Sequence, residues 1–214
     1  MARAGLSRAV VVDAGAAVAD EAGWERLTLA LVADRLGVRV PSLYKHIDSL
    51  GGLRRDIAVR AVRELGEAVA ASAVGRAGPD ALRAVADAYR AYGQRHPGRY
   101  AATVRAPAPD DAEHTAAADS VMRVVLAVLA GYGITGGGAV DATRALRAGL
   151  HGFVTLETGG GFGMPQDVDR SYRLLVDDFD AALRRRAASS PDSSAPSVPS
   201  APSAQPPPRR GTAT

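Results

Sequence analysis

The sequence predicts an all-α protein, because apolar residues recur at helical spacing along most of its 214 residues. No segment combines strict alternation with an enrichment in β-branched residues, as a strand would. Alanine is abundant and only 5% of residues are aromatic, which favours helices packed at close range. We expect a helical head in residues 1–65, a larger helical body in residues 66–186, and a disordered tail in residues 187–214. The tail is rich in Pro, Ser and Ala and has no large apolar residue to bury.

The head begins with a helix expected between Ser7 and Gly23. Serine commonly caps a helix N-terminus, and glycine adopts the left-handed backbone that ends one. The apolar stripe between them consists of Val10, Ala14, Ala17 and Val18. This helix should pack across the two that follow and complete their small core.

Residues 27–53 have the spacing of a helix-turn-helix. Thr28 can cap the first helix of the pair, and Gly37 can end it. The apolar stripe of that helix consists of Leu29, Val32, Ala33 and Leu36. A second helix should begin near Pro41, since proline needs no backbone donor at the first helical position. Two short helices joined by a glycine-containing turn present the second one to the major groove of duplex DNA.

The second helix should turn Leu43 and Ile47 inward. Asp48 and Ser49 then cap a longer helix that can run out of the head and connect it to the body. The inward face of this longer helix consists of Leu53, Ile57, Ala61 and Leu65.

This head resembles the DNA-binding domain of the Tet repressor (TetR) family of bacterial transcription regulators. The resemblance rests on the run Gly37-Val38-x-x-Pro41-Ser42-Leu43-Tyr44-x-His46, which is close to the family's turn and recognition helix. Two positions depart from the family pattern. Ala30 stands where a polar or basic residue is common, and Leu50 stands where lysine is common.

Candidate DNA contacts lie on or beside the recognition helix. Arg39 can bond a guanine edge or a phosphate, and Val40 can touch a thymine methyl group. The helix N-terminus at Ser49 can bind a phosphate through its amides. Because the first 65 residues hold ten Lys and Arg against eight Asp and Glu, a basic surface requires local clustering. The full candidate set is Thr28, Arg39, Val40, Pro41, Ser42, Tyr44, Lys45, His46 and Ser49.

The body should contain five further helices separated by glycine and proline. The expected ranges are 80–95, 99–105, 110–132, 139–158 and 167–186. Residues 144–157 (RALRAGLHGFVTLE) and the segment after them resemble the C-terminal domain of a TetR subgroup marked by a Trp-His-Gly (WHG) element. His151 and Gly152 match that element, and Leu150 stands at the tryptophan position.

The two resemblances together cover roughly residues 5–186. They imply a homodimer, formed by the last two long helices as a four-helix interface, and a small-molecule cavity among the middle helices. Aromatic walls with few polar groups suit small ligands, although each candidate can equally be ordinary core. His151 is either a polar anchor in the cavity or a packing residue near the dimer axis. The candidate ligand-binding residues are Tyr89, Tyr92, Tyr100, Met122, His151 and Phe153.

We expect no catalytic residue, metal site or cofactor. The GGGFG run at 159–163 follows no strand and lacks the lysine of a phosphate-binding loop. The chain has no cysteine, and the acidic cluster Asp110, Asp111, Glu113 and His114 suits the capping of a helix start better than a metal site. No run of about 18 apolar residues is present to span a membrane, so a cytoplasmic protein is expected.

The sequence therefore predicts a DNA-binding transcriptional regulator, a ligand-responsive repressor that binds a palindromic operator as a homodimer. Its expected partners are double-stranded operator DNA, a small-molecule effector and a second copy of the chain. Ala30 and Leu50 leave an alternative open, namely a helical adaptor or small-molecule-binding protein with a vestigial helix-turn-helix.

Overall fold

The computed structural model describes residues 5–189, and all regular secondary structure within them is helical, as the sequence predicts. The helices are α1 (Arg8–Ala22), α2 (Leu29–Leu36), α3 (Val40–Leu43), α4 (Leu50–Ala73), α5 (Gly78–Arg95), α6 (Pro97–Ala102), α7 (Ala112–Ala130), α8 (Gly136–Thr158) and α9 (Val168–Ser189). A 3-10 turn at Trp24–Arg26, which the sequence did not predict, precedes α2. Of the expected tail, residues 187–189 belong to α9, and residues 190–214 lie outside the described part of the chain.

Four helix starts in the body differ from the sequence prediction by two or three residues. α5 begins at Gly78 instead of residue 80, and α7 begins at Ala112 instead of residue 110. α6 begins at Pro97 and α8 begins at Gly136, whereas breaks were expected at residues 96–98 and 136–138. Pro97 occupies the first turn of α6, where its missing N–H would have had no partner within the helix. At Gly78, Pro97 and Gly136 the prediction was wrong because proline and glycine are compatible with the first turn of a helix as well as with a break.

The head has its own hydrophobic core, built by α1, α2, α3 and the first half of α4. α1 contributes Val11, Ala14 and Val18, so its buried stripe lies slightly to one side of the expected one. Val10 and Ala17 are only partly buried. The completely buried members of this core are Val11, Val32, Leu43, Leu53, Ile57 and Ala61.

A second core holds the body together and contains side chains from α4, α5, α7, α8 and α9. Tyr172 of α9 is 1% exposed, and its hydroxyl donates to the carbonyl of Ala86 in α5 at 2.6 Å. α4 is continuous between the two cores, since Ile57 belongs to the head and Leu65 and Val69 belong to the body. Within residues 5–189, none of the helices has both the length and the hydropathy needed to cross a membrane.

Candidate DNA-binding surface and effector cavity

The helix-turn-helix forms through local capping and one close helix contact. The Thr28 hydroxyl accepts from the amide of Leu31 at 3.3 Å, as its predicted capping role requires. Gly37 adopts the left-handed conformation (φ 64°) that ends α2, and the Val38 amide then donates to the carbonyl of Ala33. Because Ala33 is small and 3% exposed, α2 and α3 can pack closely across this turn.

The recognition helix is short, and its outer surface carries the predicted polar groups. α3 itself ends at Leu43, but amides of His46 and Ile47 both donate to the Leu43 carbonyl and continue the helical turn. Leu43 and Ile47 are buried, whereas Tyr44 is 55% exposed and Lys45 is also exposed. The other predicted contacts are placed as follows: Arg39 and Pro41 are exposed, and Val40, Ser42 and His46 are half-buried.

Ser49 begins the helix that follows the recognition helix. Its hydroxyl oxygen accepts from the Gly52 amide at 3.0 Å, which caps α4. Leu50, which stands where the family commonly has lysine, is half-buried and packs against the head core. The side chain at this position therefore contributes packing to the head, and only the backbone at Ser49 and Leu50 remains for an anion at the start of α4.

Most cations of the head fall into two groups. Arg8, Arg35, Arg55, Arg60 and Arg63 each pair with a carboxylate. Within the described chain, Arg26, Arg39 and Lys45 have no ion-pair partner and are exposed. Arg26 was missed by the sequence analysis, because it lies in the unexpected 3-10 turn outside the recognised motif. The exposed, unpaired positive charge of the head thus lies beside α2 and around the recognition helix.

A cavity of about 330 Å³ lies among the middle helices of the body. α4, α5, α7 and α8 form its walls, together with the loop that follows α6. Of the six residues proposed from the sequence as ligand contacts, Tyr89 and Met122 line this cavity. A wider groove of about 650 Å³ lies between α4 and α7, but it opens to the surface and carries charges of both signs.

Tyr100 and His151 lie behind Tyr89, as seen from the cavity. The hydroxyl of Tyr100 donates to that of Tyr89 at 3.1 Å and lies 2.7 Å from Nδ1 of His151. Burial raises the pKa of both phenols, so both stay protonated at neutral pH. Burial, and then the charge of Arg147, lowers the pKa of His151 and keeps its imidazole neutral there. The three rings form one hydrogen-bonded chain that ends at the cavity wall.

Tyr92 and Phe153, the remaining two sequence candidates, have other surroundings. Tyr92 is 3% exposed, and its hydroxyl donates to Glu64 at 3.0 Å, between α5 and α4. Phe153 packs against Tyr172 and lies 5.8 Å beneath the guanidinium of Arg90. The structure therefore does not bring these two aromatic rings together with Tyr89 and Met122.

Several polar residues of the cavity were missed by the sequence analysis. They lie on three separate segments, and no local motif connects them, so their proximity results only from the packing of the body. They are Thr103, Arg105, His114, Thr143 and Arg147.

The acidic cluster before α7 caps that helix, as predicted. The Asp111 carboxylate accepts from the His114 amide at 3.0 Å, and it also forms a bidentate ion pair with Arg55 of α4. The hydrogen bond from Arg55 holds the pKa of Asp111 well below its ordinary value. Glu113 joins the same network through Arg55 and Arg63. These contacts fix the start of α7 against the helix that enters the head.

α6 connects the cavity to the head by a backbone contact. A Cβ atom added to Gly98 would lie 2.0 Å from the carbonyl oxygen of Ala19 in α1, so only glycine permits this approach. Arg99 strengthens the contact, because its guanidinium bonds Asp20 of α1 and Glu64 of α4, both at 2.8 Å. Burial opposes the ionisation of Glu64, but the hydrogen bond from Arg60 and the charge of Arg99 keep its pKa below its ordinary value.

Comparison with known proteins identifies the class that this fold and surface define. Residues 82–179 match the family described as "Tetracyclin repressor-like, C-terminal domain". The chain is 39% identical over 182 residues to the HTH-type transcriptional regulator Rv0681 of Mycobacterium tuberculosis, covering 85% of this chain and 83% of the relative. It is 32% identical over 182 residues to the HTH-type regulator YobS of Bacillus subtilis, covering 85% and 94%. The chain is thus a helix-turn-helix transcriptional regulator.

Solved structures agree with this class in fold. A TetR variant of Acinetobacter baumannii AYE, solved in complex with minocycline, matches with a TM-score of 0.65 at 20% identity, over 86% of this chain and 99% of that one. The TetR family regulator PfmR of Thermus thermophilus matches with a TM-score of 0.59 at 18% identity, over 85% and 97%. With the sequence relatives, these findings show that the chain belongs to the TetR family, a group of DNA-binding transcriptional regulators rather than enzymes.

Proposed function

We propose that this regulator is a ligand-responsive repressor, acting in the cytoplasm as a homodimer on a palindromic operator. The observation that carries the DNA-binding part is the distribution of charge in the head. Five head arginines are paired with carboxylates, whereas Arg26, Arg39 and Lys45 are exposed without an ion pair in the described chain. Cations that are free of internal partners can neutralise phosphates and fix the register of the recognition helix on the duplex.

The homodimer is supported by an unpartnered face on the last two long helices. α8 carries a stripe of small and apolar residues at helical spacing, which consists of Ala145, Ala148, Gly152 and Leu156. Leu156 is 52% exposed and Leu174 of α9 is 54% exposed. A Cβ atom added to Gly152 would meet nothing within 4 Å in the monomer, which leaves room for a second helix to approach. Two recognition helices held in this way would enter major grooves about 34–36 Å apart.

The response to a ligand is supported by the position of the loop after α6. Thr103 and Arg105 line the effector cavity, and the helix just before them contacts α1 of the head through Gly98. A ligand that moves this loop changes the position of the head relative to the body. By linkage, the ligand weakens DNA binding only by the ratio of its affinities for the two conformations.

The proposal is tested by footprinting the purified protein on the DNA upstream of its own gene, followed by titration of the protected site. Lys45→Ala should weaken operator binding and reduce the slope of log K against log salt by about 0.9, the value for one lost phosphate contact. Tyr44→Ala should weaken binding without that change in slope. Dimerisation should be unchanged in both variants, since neither residue is near α8 or α9.

Arg76→Ala is the matched control for the loss of one positive charge. Arg76 is exposed just beyond the far end of α4, a helix of 24 residues that spans on the order of 36 Å. This variant should retain the operator affinity and the salt slope of the wild type. Equal binding to every oligonucleotide, or an equal effect of Lys45→Ala and Arg76→Ala, would contradict the proposal and favour an adaptor with a vestigial helix-turn-helix.

A further inference from the structure

The effector cavity has an unusual balance of side-chain chemistry. Most of its wall is aliphatic, with valine, leucine and alanine from α4, α5, α7 and α8. No aspartate or glutamate lines it within residues 5–189. Its polar side chains are phenol, hydroxyl, imidazole and guanidinium groups, which are the residues Tyr89, Thr103, Arg105, His114, Thr143 and Arg147. Positive charge in the wall is therefore not balanced by a carboxylate in the same wall.

The two arginines of the cavity wall lie beside the loop that follows α6. Nη2 of Arg147 donates to the carbonyl oxygens of Thr103 and Val104 at 3.3 and 3.2 Å, so this arginine lies against the loop that follows α6. Arg105 belongs to the same loop, and Thr143 precedes Arg147 by one turn on α8. The rest of the wall is mainly apolar and includes Val69, Leu82, Val85, Val125 and Val128. The cavity thus combines two cationic side chains beside this loop with a largely apolar wall.

The hydrogen-bonded chain behind Tyr89 adds a donor to the wall. When Nδ1 of His151 carries the ring proton, it donates to the Tyr100 hydroxyl, which in turn donates to the Tyr89 hydroxyl. A phenol has only one proton, and in this arrangement that of Tyr89 is left for an acceptor inside the cavity. Tyr89 and Arg147 then both present donors.

Two buried polar atoms in the cavity walls also need a partner. Among the described residues, Nε2 of His114 and Oγ1 of Thr143 are buried without a hydrogen bond, and the two residues are 5% and 8% exposed. Such atoms are rare in folded proteins, because each one forfeits a hydrogen bond to water. Both residues belong to the lining of the effector cavity.

We propose that the effector is a carboxylate with an apolar body, held with its acid group toward Arg147 and its body among the valines and leucines. This inference rests on the proposed ligand response and names the chemical class of the effector. The planar guanidinium matches a carboxylate by paired, charge-assisted hydrogen bonds. A lipophilic cation is disfavoured, because nothing acidic in the wall would compensate its desolvation. At about 330 Å³, the cavity lies at the small end of the range for ligand pockets.

Calorimetric titration of the full-length protein with three ten-carbon probes tests this assignment. Decanoate, 1-decanol and decylamine share one apolar chain and differ only in the charge of the head group. At pH 7, decanoate should bind about ten-fold or more tightly than 1-decanol, as expected for one hydrogen-bonded charge pair. Decylamine should bind most weakly of the three.

Two arginines on the same helix provide the variant and its control. Arg147→Gln should weaken decanoate binding about ten-fold and leave 1-decanol within about two-fold of the wild type. Arg144 is exposed, as Arg147 is, but it lies one turn away and outside the cavity lining, so Arg144→Gln should leave both affinities unchanged. A melting curve of each variant confirms that it is folded.

The inference is overturned if decanoate does not bind, if it binds no better than 1-decanol or decylamine, or if both arginine variants give equal losses. Operator release is measured separately, by anisotropy of labelled DNA in the presence of decanoate. If decanoate binds with the expected head-group preference and depends on Arg147, but the operator stays bound, the ligand class stands and the proposed ligand response fails.

Discussion

At the scale of single residues, Gly98 sets the distance between the body and the head. Its α-carbon faces the backbone carbonyl of Ala19, and a rigid backbone cannot give way as a flexible side chain can. The contact lies at the start of α6, the helix that precedes the cavity-lining loop. Any side chain larger than the hydrogen atom of glycine at residue 98 would therefore hold α6 away from α1.

Gly98→Ala should destabilise the protein by about 1–3 kcal/mol or more, because the added methyl group forces α6 away from α1. Urea unfolding followed by far-UV circular dichroism measures the change. Gly137→Ala is the control, since a Cβ atom there would meet nothing within 4 Å in the first turn of α8. That variant should be unchanged or more stable by up to about 1 kcal/mol. A similar loss of stability in both variants would show that the contact between Gly98 and Ala19 does not cause the destabilisation.

The residue scale also shows what the sequence could reveal about the sites. The capping roles of Ser7, Thr28 and Ser49 follow from rules that span three or four residues, and the structure confirms all three. Arg147 and His114 could not be assigned to a cavity in this way. They are 33 positions apart in sequence, and only the packing of α7 against α8 brings them to one wall.

At the scale of elements, α4 determines how the head is attached. It begins beside the recognition helix, contributes to both cores and pairs with the start of α7 through Arg55. Asp111 accepts two hydrogen bonds from that guanidinium and also caps α7. The contact between α4 and the start of α7 therefore depends on the negative charge of Asp111.

Asp111→Asn should make the acid unfolding profile shallower, because asparagine still caps a helix but cannot titrate. The hydrogen bond from Arg55 depresses the pKa of Asp111 in the folded state. Its stabilising effect is present above the unfolded value near pH 4 and is lost as the pH falls from there toward the folded value. Thermal melts between pH 7 and pH 2.5 measure this dependence, and parallel profiles for the variant and the wild type would contradict it.

Helix positions were largely predictable, whereas several helix starts were not. Stripes at spacings of three and four identify α2, α4 and α5, because the buried face of each helix repeats along its length. At Pro97 and Gly136, the sequence offered residues that are compatible with either a break or a first turn. Whether such a residue begins a helix or forms a break depends on contacts with distant segments, such as the close approach of Gly98 to α1.

At the scale of the whole molecule, the two-fold assembly remains a proposal that one substitution can test. Leu156→Glu places a charge within the exposed face of α8, where it would be desolvated between two subunits. We expect monomers in light scattering and a large loss of operator affinity, because one head alone makes half of the contacts. Val74→Glu is the control, since Val74 is 75% exposed at the end of α4 and outside that face. A dimer that survives Leu156→Glu would place the interface elsewhere.

The contact at Gly98 also limits how this regulator can be recombined with its relatives. A chimaera joined within α4 would combine the reading head of one protein with the sensing body of another. In such a hybrid, α6 of one protein has to pack against α1 of the other. This requires glycine at the position of Gly98 in the body, and a backbone carbonyl accessible at the position of Ala19 in the head. Exchanging α1 together with α6 would preserve the contact between Gly98 and Ala19. In sensors engineered from this chain, these two helices should therefore be taken from the same protein.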